Sequence, residues 1–146
     1  VLQALADQEF PLTEEQKPQR TVTILLVEDE AALRSMTKKV LERSGYTVLT
    51  AASAVEARQL WGTHQEEVNL LFTDLKLAGG QTGQQLAVEL RGQRPELRVL
   101  YTSGDSADCI HSASFRDGDH FMAKPYALKT LTQTVEQMVA AKPAAL

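Results

Sequence analysis

The run Leu70-Leu71-Phe72, followed at once by Thr73-Asp74, constrains this chain more than any other stretch. Its apolar residues are consecutive rather than alternating, and they lie between Val68-Asn69 and the pair Gly79-Gly80. A short unbroken apolar run suits a strand buried on both faces, as in a parallel sheet covered by helices. It ends abruptly in a carboxylate. Open α/β sheets gather their ligands at the carboxyl ends of the strands, so Asp74 arrives at the edge where chemistry is done. Standing alone, such an Asp reads as a loop or helix cap. What distinguishes Asp74 is the company that the rest of the chain brings to the same edge.

From Thr21 onward, strand and helix signals alternate. Val22 to Val27 is a first buried strand that runs into Glu28-Asp29-Glu30. Ala31 to Ser44 follows with Leu33, Met36, Val40 and Leu41 at helical spacing, and Gly45 stands at the usual stop position. Tyr46 to Ala51 is a second strand. Ser53 and Glu56 make a capping box for a second helix whose expected inner face includes Val55, Leu60 and Trp61. The Asp74 strand is third. Leu86, Ala87 and Leu90 mark a third helix that ends near Arg94-Pro95, and Arg98 to Thr102 is a fourth strand. Asp105 to Ser114 is a weaker helix carrying Cys109, Ile110 and Ala113. Asp119 to Ala123 is a fifth strand, and Leu128, Leu131, Val135 and Met138 line a last helix that ends around Lys142-Pro143. Strict alternation implies an α/β fold: a doubly wound, five-stranded parallel sheet with helices on both faces. The flavodoxin-like order 2-1-3-4-5 makes strands one and three neighbours, so that Glu28, Asp29 and Asp74 converge.

Residues 1 to 20 differ in composition. Val1, Leu2 and Leu5 fit one helical face, but Glu14 to Arg20 is polar and contains Pro18, so the segment reads as a linker or tail from an upstream module. The expected division is therefore 1–20 linker, 21–141 domain and 142–146 tail. A start at Val1 rather than Met suggests a fragment of something longer. The net charge is −4, and the 15 Lys and Arg residues form no basic stripe, which speaks against direct binding to nucleic acid or an anionic membrane. A lone cysteine excludes an internal disulfide and suits a reducing, cytoplasmic compartment. No apolar run approaches the roughly 18 residues needed to span a bilayer.

Three carboxylates at one edge repel unless something positive lies among them. Hard oxygen donors of this kind suit Mg²⁺, which takes one or two carboxylates and keeps several waters. An acidic first helical turn that complements the helix dipole also explains Glu28-Asp29-Glu30, but it does not explain Asp74. Strand four ends in Thr102-Ser103-Gly104, a hydroxyl followed by open space, and strand five ends in Lys124-Pro125, an ammonium. Carboxylates, hydroxyl and ammonium around one Asp form a site for attaching a phosphoryl group to it.

At these residues the chain resembles the receiver domain of two-component response regulators, over about residues 21 to 141. The motifs stand as Leu26-Val27-Glu28-Asp29-Glu30, Thr73-Asp74, Thr102-Ser103-Gly104 and Lys124-Pro125, each at a strand end. The resemblance implies that Asp74 accepts a phosphoryl group from phosphohistidine on a histidine kinase or histidine phosphotransfer protein. It implies direct Mg²⁺ binding by Asp29, action of Glu28 through a bound water, and completion of the coordination by Asp74 and the Lys76 backbone carbonyl. Lys124 pairs with phosphoryl oxygens, and Ser103 donates to one. Thr102 is a rival hydroxyl, although counting along the strand puts Ser103 at its very end. Phe121 matches an aromatic that follows the hydroxyl's state, and the Lys124-Pro125 bond is usually cis in the family. The surface that switches is the fourth helix, fifth strand and fifth helix (about residues 105 to 140), a face through which copies can also pair. Lys76 and Asp105 flank the approach of the hydrolytic water and are expected to tune dephosphorylation.

Two departures stand out: Glu rather than Asp at the first acidic position, and Ala78 in a glycine-rich loop where proline is frequent. That loop looks like receivers of hybrid histidine kinases, against the alternative of a stand-alone regulator. A pseudo-receiver that only binds partners is opposed by the intact acid pocket. A haloacid-dehalogenase-type phosphatase needs a second Asp where Lys76 stands. A flavodoxin-type FMN site needs a phosphate loop where Glu28-Asp29-Glu30 would repel phosphate. His64, His111 and His120 are dispersed and read as surface residues, not relays.

Overall fold

A computed structural model describes residues 22–104 and 119–140. Five strands form one parallel sheet, β1 (Thr23–Val27), β2 (Thr47–Ala51), β3 (Val68–Asp74), β4 (Arg98–Ser103) and β5 (His120–Ala123), in the order β2-β1-β3-β4-β5. Four α-helices are described: α1 (Ala31–Arg43), α2 (Ala54–His64), α3 (Gly83–Arg91) and α4 (Leu128–Ala140). A 3₁₀ turn, Ala78–Gly80, lies between β3 and α3. The order is the expected 2-1-3-4-5. Tails 1–20 and 142–146, the weak helix from Asp105 to Ser114 and the histidine at 111 lie outside the described residues. No described helix is long and apolar enough to cross a membrane.

Strand alternation divides the apolar residues into two cores. Leu25, Leu71, Val99 and Tyr101 face α2 and α3, meeting Ala57, Trp61, Leu86 and Leu90. Ile24, Leu26, Leu70, Phe72 and Leu100 face the other way, toward Leu41 of α1 and Leu131, Val135 and Met138 of α4. The central strands are apolar on both faces because both faces are covered. Phe72 and Tyr101 are among the largest fully buried side chains.

Several expected inward residues face water instead. Val55 is 60% exposed, Met36 41% and Leu128 43%. The small residues Ala54 and Ala57 carry α2 close to the sheet, which turns Val55 outward. In α1 the fully buried positions are Thr37 and Leu41, so the inner stripe is one position off the apolar count. Gly45 does end the first helix: at φ +99° it lets Tyr46 N–H reach the Leu41 carbonyl while its own N–H meets Glu42. At Ser53 only the hydroxyl half of the capping box forms, because the Glu56 carboxylate accepts from the Ala52 N–H. The complete box is at Thr82 and Gln85, opening α3.

The C-terminal end of α3 is tied to the start of β5 by a buried ion pair. Arg91 donates through Nη1 and Nη2 to the Asp119 carboxylate and through Nε to the Leu97 carbonyl at 3.0 Å. The two side chains are 7% and 3% exposed. Breaking a buried pair from one side strands the other charge, at a cost of about 3–5 kcal/mol. Arg91→Met is therefore expected to lower the urea unfolding midpoint by that equivalent, and Arg91→Met with Asp119→Leu to recover much of it. An unchanged midpoint in Arg91→Met would contradict this account.

Candidate functional site

The carboxyl ends of β1, β3 and β5 bring three carboxylates and one ammonium together. Oxygens of Glu28, Asp29 and Asp74 lie within 4.8 Å of one another. Lys124 Nζ is 2.8 Å from Asp74 Oδ2 and 2.8 Å from Glu28 Oε1. Glu28 is buried, Asp74 half-buried and Asp29 exposed. The Glu28 side chain is further fixed by the Glu30 N–H, which donates to Oε2 at 3.1 Å, so both carboxylate oxygens are engaged. Arg34 reaches back from α1 to the Glu28 carbonyl at 2.8 Å.

The electrostatics follow from one cation shared between two anions. Burial pushes the Glu28 carboxyl above its usual range, and the hydrogen bonds from Lys124 and the Glu30 N–H only partly offset this. Burial also works against the Lys124 ammonium, but hydrogen bonds to both Asp74 and Glu28 outweigh it and raise the lysine above its ordinary value. The ammonium is therefore held charged, while its buried partner competes with Asp74 for it. Hard oxygen donors this close suit a small divalent cation, whose ligand oxygens sit about 4 Å or less apart in an octahedron.

The hydroxyl question takes a geometric form. Thr102 pairs in register with Asp74, and Ser103 with Ala123 one step further on. Both residues are buried. Ser103 shares its face with Tyr101, whose ring lies 6.0 Å from that of Phe121, and the Ser103 carbonyl accepts the Lys124 N–H at 2.8 Å. The Lys124–Pro125 bond is cis. Lys76 is exposed and forms an isolated antiparallel bridge with Thr82. Its expected counterpart, Asp105, lies outside the described residues.

The chain matches the response regulator receiver domain family over residues 24–136. It is 35% identical over 120 residues to the sensor kinase CckA of Brucella abortus, covering 82% of this chain and 13% of that kinase. It is 36% identical over 103 residues to the alginate biosynthesis transcriptional regulatory protein AlgB of Pseudomonas aeruginosa, covering 70% of this chain and 22% of that regulator. A crystal structure of the receiver domain of the hybrid histidine kinase CckA superposes with a TM-score of 0.68 at 32% identity, over 80% of this chain and 98% of that one. The chain belongs to the response regulator receiver family. Receivers are the signalling domains of two-component phosphorelays, and the chain spans only a small part of these curated relatives.

In this receiver the loop after Asp74 depends on a glycine that the sequence reading passed over. A Cβ at Gly83 would lie 2.3 Å from the Asp74 carbonyl oxygen and 2.9 Å from Thr73 Cγ2. The close approach lets the Gly83 N–H meet the Leu75 carbonyl at 2.7 Å, while the Leu75 N–H meets Thr102 at 2.8 Å. The signal was a glycine at the first position of a capped helix, where space rather than φ is the requirement. Gly83→Ala is expected to cost about 1–3 kcal/mol through overpacking, because the backbone that must yield carries Asp74. Thermal melting tests this, and a wild-type midpoint would contradict it.

Proposed function

We propose that Asp74 is the phosphoacceptor of this receiver and takes its phosphoryl group from phosphohistidine on a histidine kinase or histidine phosphotransfer protein. The observation that carries the reading is the Lys124 ammonium held 2.8 Å from both Asp74 and Glu28, beside a third carboxylate, Asp29. A carboxylate oxygen of Asp74 attacks phosphorus in line, the new O–P bond forms as the P–N bond breaks, and the imidazole leaves with the electron pair. Lys124, already charged and aimed at Asp74, neutralises oxygens of the arriving group. Ser103 donates a hydrogen bond to another, and Phe121 on the same face follows its movement. Asp29 and Asp74, with the Lys76 carbonyl, would hold Mg²⁺. Glu28, with both oxygens already hydrogen-bonded, would act on the ion through a water rather than as a direct ligand. Mg²⁺ supplies charge neutralisation at the transferring phosphoryl group.

The parent protein in this reading is a hybrid histidine kinase, as CckA is named, with residues 1–20 as the connection to an upstream module. The alternative reading is a stand-alone single-domain response regulator. The comparable identity to AlgB, named a transcriptional regulatory protein, supports a regulator rather than a kinase as parent but not its single-domain form.

Incubation with acetyl phosphate and Mg²⁺ should add one phosphoryl group to the wild type and none to Asp74→Asn, read by intact-protein mass spectrometry. Asp29→Asn should raise the Mg²⁺ requirement roughly tenfold or more. An undiminished signal in Asp74→Asn would sink the assignment.

Ser103→Ala and Thr102→Val separate the two hydroxyls. With Mg²⁺ and beryllofluoride, the NMR shifts of Phe121 seen in the wild type should vanish in Ser103→Ala and persist in Thr102→Val. The reverse pattern would transfer the role to Thr102.

A further inference from the structure

Lys124 stands just past the end of β5, on a four-carbon stem with much rotamer freedom, so its aim depends on the backbone from which it extends. On one side that backbone is fixed by the Lys124 N–H bond to Ser103. On the other, the next anchored side chain is Tyr126. Its hydroxyl lies 3.0 Å from Oγ1 of Thr37, and its ring lies 6.2 Å from that of Phe72 at an interplanar angle of 48°.

These contacts are unusual in kind and in place. Thr37 is completely buried on the inner face of α1, a position where an apolar residue would fill the space with no polar group to satisfy. A hydroxyl on each side makes the contact directional, where two apolar groups would only touch. The contacts also reach the two elements that deliver the lysine's partners. Phe72 is two positions before Asp74 on β3, and α1 follows directly from Glu28 through Glu30, whose N–H holds the Glu28 carboxylate. Tyr126 thus ties the lysine loop to both carboxylates' own supports. Tyr126 also walls an apolar groove of about 480 Å³ with Leu33, Met36 and Pro125, which opens beside Lys124. Burial raises the tyrosine above its ordinary value, so the phenol stays a hydrogen-bonding neutral group.

We propose that Tyr126 is a positioning residue for phosphoryl transfer: its hydrogen bond to Thr37 and its ring contact with Phe72 hold the Lys124 ammonium in line with Asp74. The inference rests on Asp74 being the phosphoacceptor. Removing the bond leaves every group that touches the phosphoryl present and loosens only one of them, the cation.

The test uses Tyr126→Phe, Thr37→Val and the double variant, with acetyl phosphate and Mg²⁺ as the donor system and urea unfolding as the measure of stability. Tyr126→Phe strands the buried Thr37 hydroxyl and Thr37→Val the half-buried Tyr126 hydroxyl, so each should unfold at lower urea, the first more than the second. The double removes both polar groups and should recover stability. The phosphorylation rate should fall about three- to tenfold in both singles and stay low in the double, since the lost directional contact is not restored by apolar packing. A double variant that recovers the rate along with stability would reduce the bond to structure and overturn the proposal. So would wild-type rates in the singles. A wild type that takes no phosphoryl group at all would instead overturn the phosphoacceptor reading on which this one stands.

Discussion

One ammonium between two carboxylates is the constraint on which this site depends. Glu28 is buried at the end of β1, Asp74 ends β3 next to it, and neither tolerates the other's charge in a half-dry pocket without Lys124. The parallel pairing of β1 with β3 brings the two anions together, and the pairing of β4 with β5 brings the cation to them. β1, β3 and β5 each need apolar residues for burial and a charged residue at or just past the carboxyl end, Glu28, Asp74 and Lys124. The same geometry that closes the two cores therefore produces a cluster that favours any added positive charge and any group able to share the lysine.

The second layer of support is backbone contact. Gly83 packs against the Asp74 carbonyl with no room for a side chain, and the Thr82–Gln85 box holds that helix end where it is. Arg34 and the Glu30 N–H hold Glu28 from the α1 side. These contacts make the carboxylates poorly able to move apart, so their repulsion persists as a standing preference for cations rather than relaxing away.

Much of this was legible in the sequence because it depends on order and period. Five apolar runs in alternation with helical stripes dictate the sheet, and the charged or hydroxyl residue at the end of four of them, all but the second, dictates what the carboxyl edge carries. Arg91 was not legible, since a charged residue in a helix gives no hint that it is buried against Asp119. Thr37 and Tyr126 were hidden for the opposite reason: a threonine in an apolar stripe looks like an interruption until its partner is seen. Val55 and Met36 show the limit of counting apolar residues. Alanines that bring α2 close to the sheet decided its inner face, and bulk did not. Gly83 was not legible either, because its role lies in a distance to a carbonyl of another element.

Strand alternation also sorts the site by side. Asp74, Thr102 and Met122 share register and one face, while Tyr101 and Phe121 pair on the reverse face, with Ser103 one alternation on from Tyr101. A single sheet of backbone, packed dry on either side, stands between the charged group and the aromatic pair like a septum. A change confined to the carboxylate stays on its own side of that wall. A group that projects past the strand ends clears the rim and is within reach of a hydroxyl from the far side. If Asp74 is the phosphoacceptor proposed above, news of its adduct would pass over the edge of the sheet instead of through it, and the length of the adduct, as much as its charge, would be what the aromatic side registers.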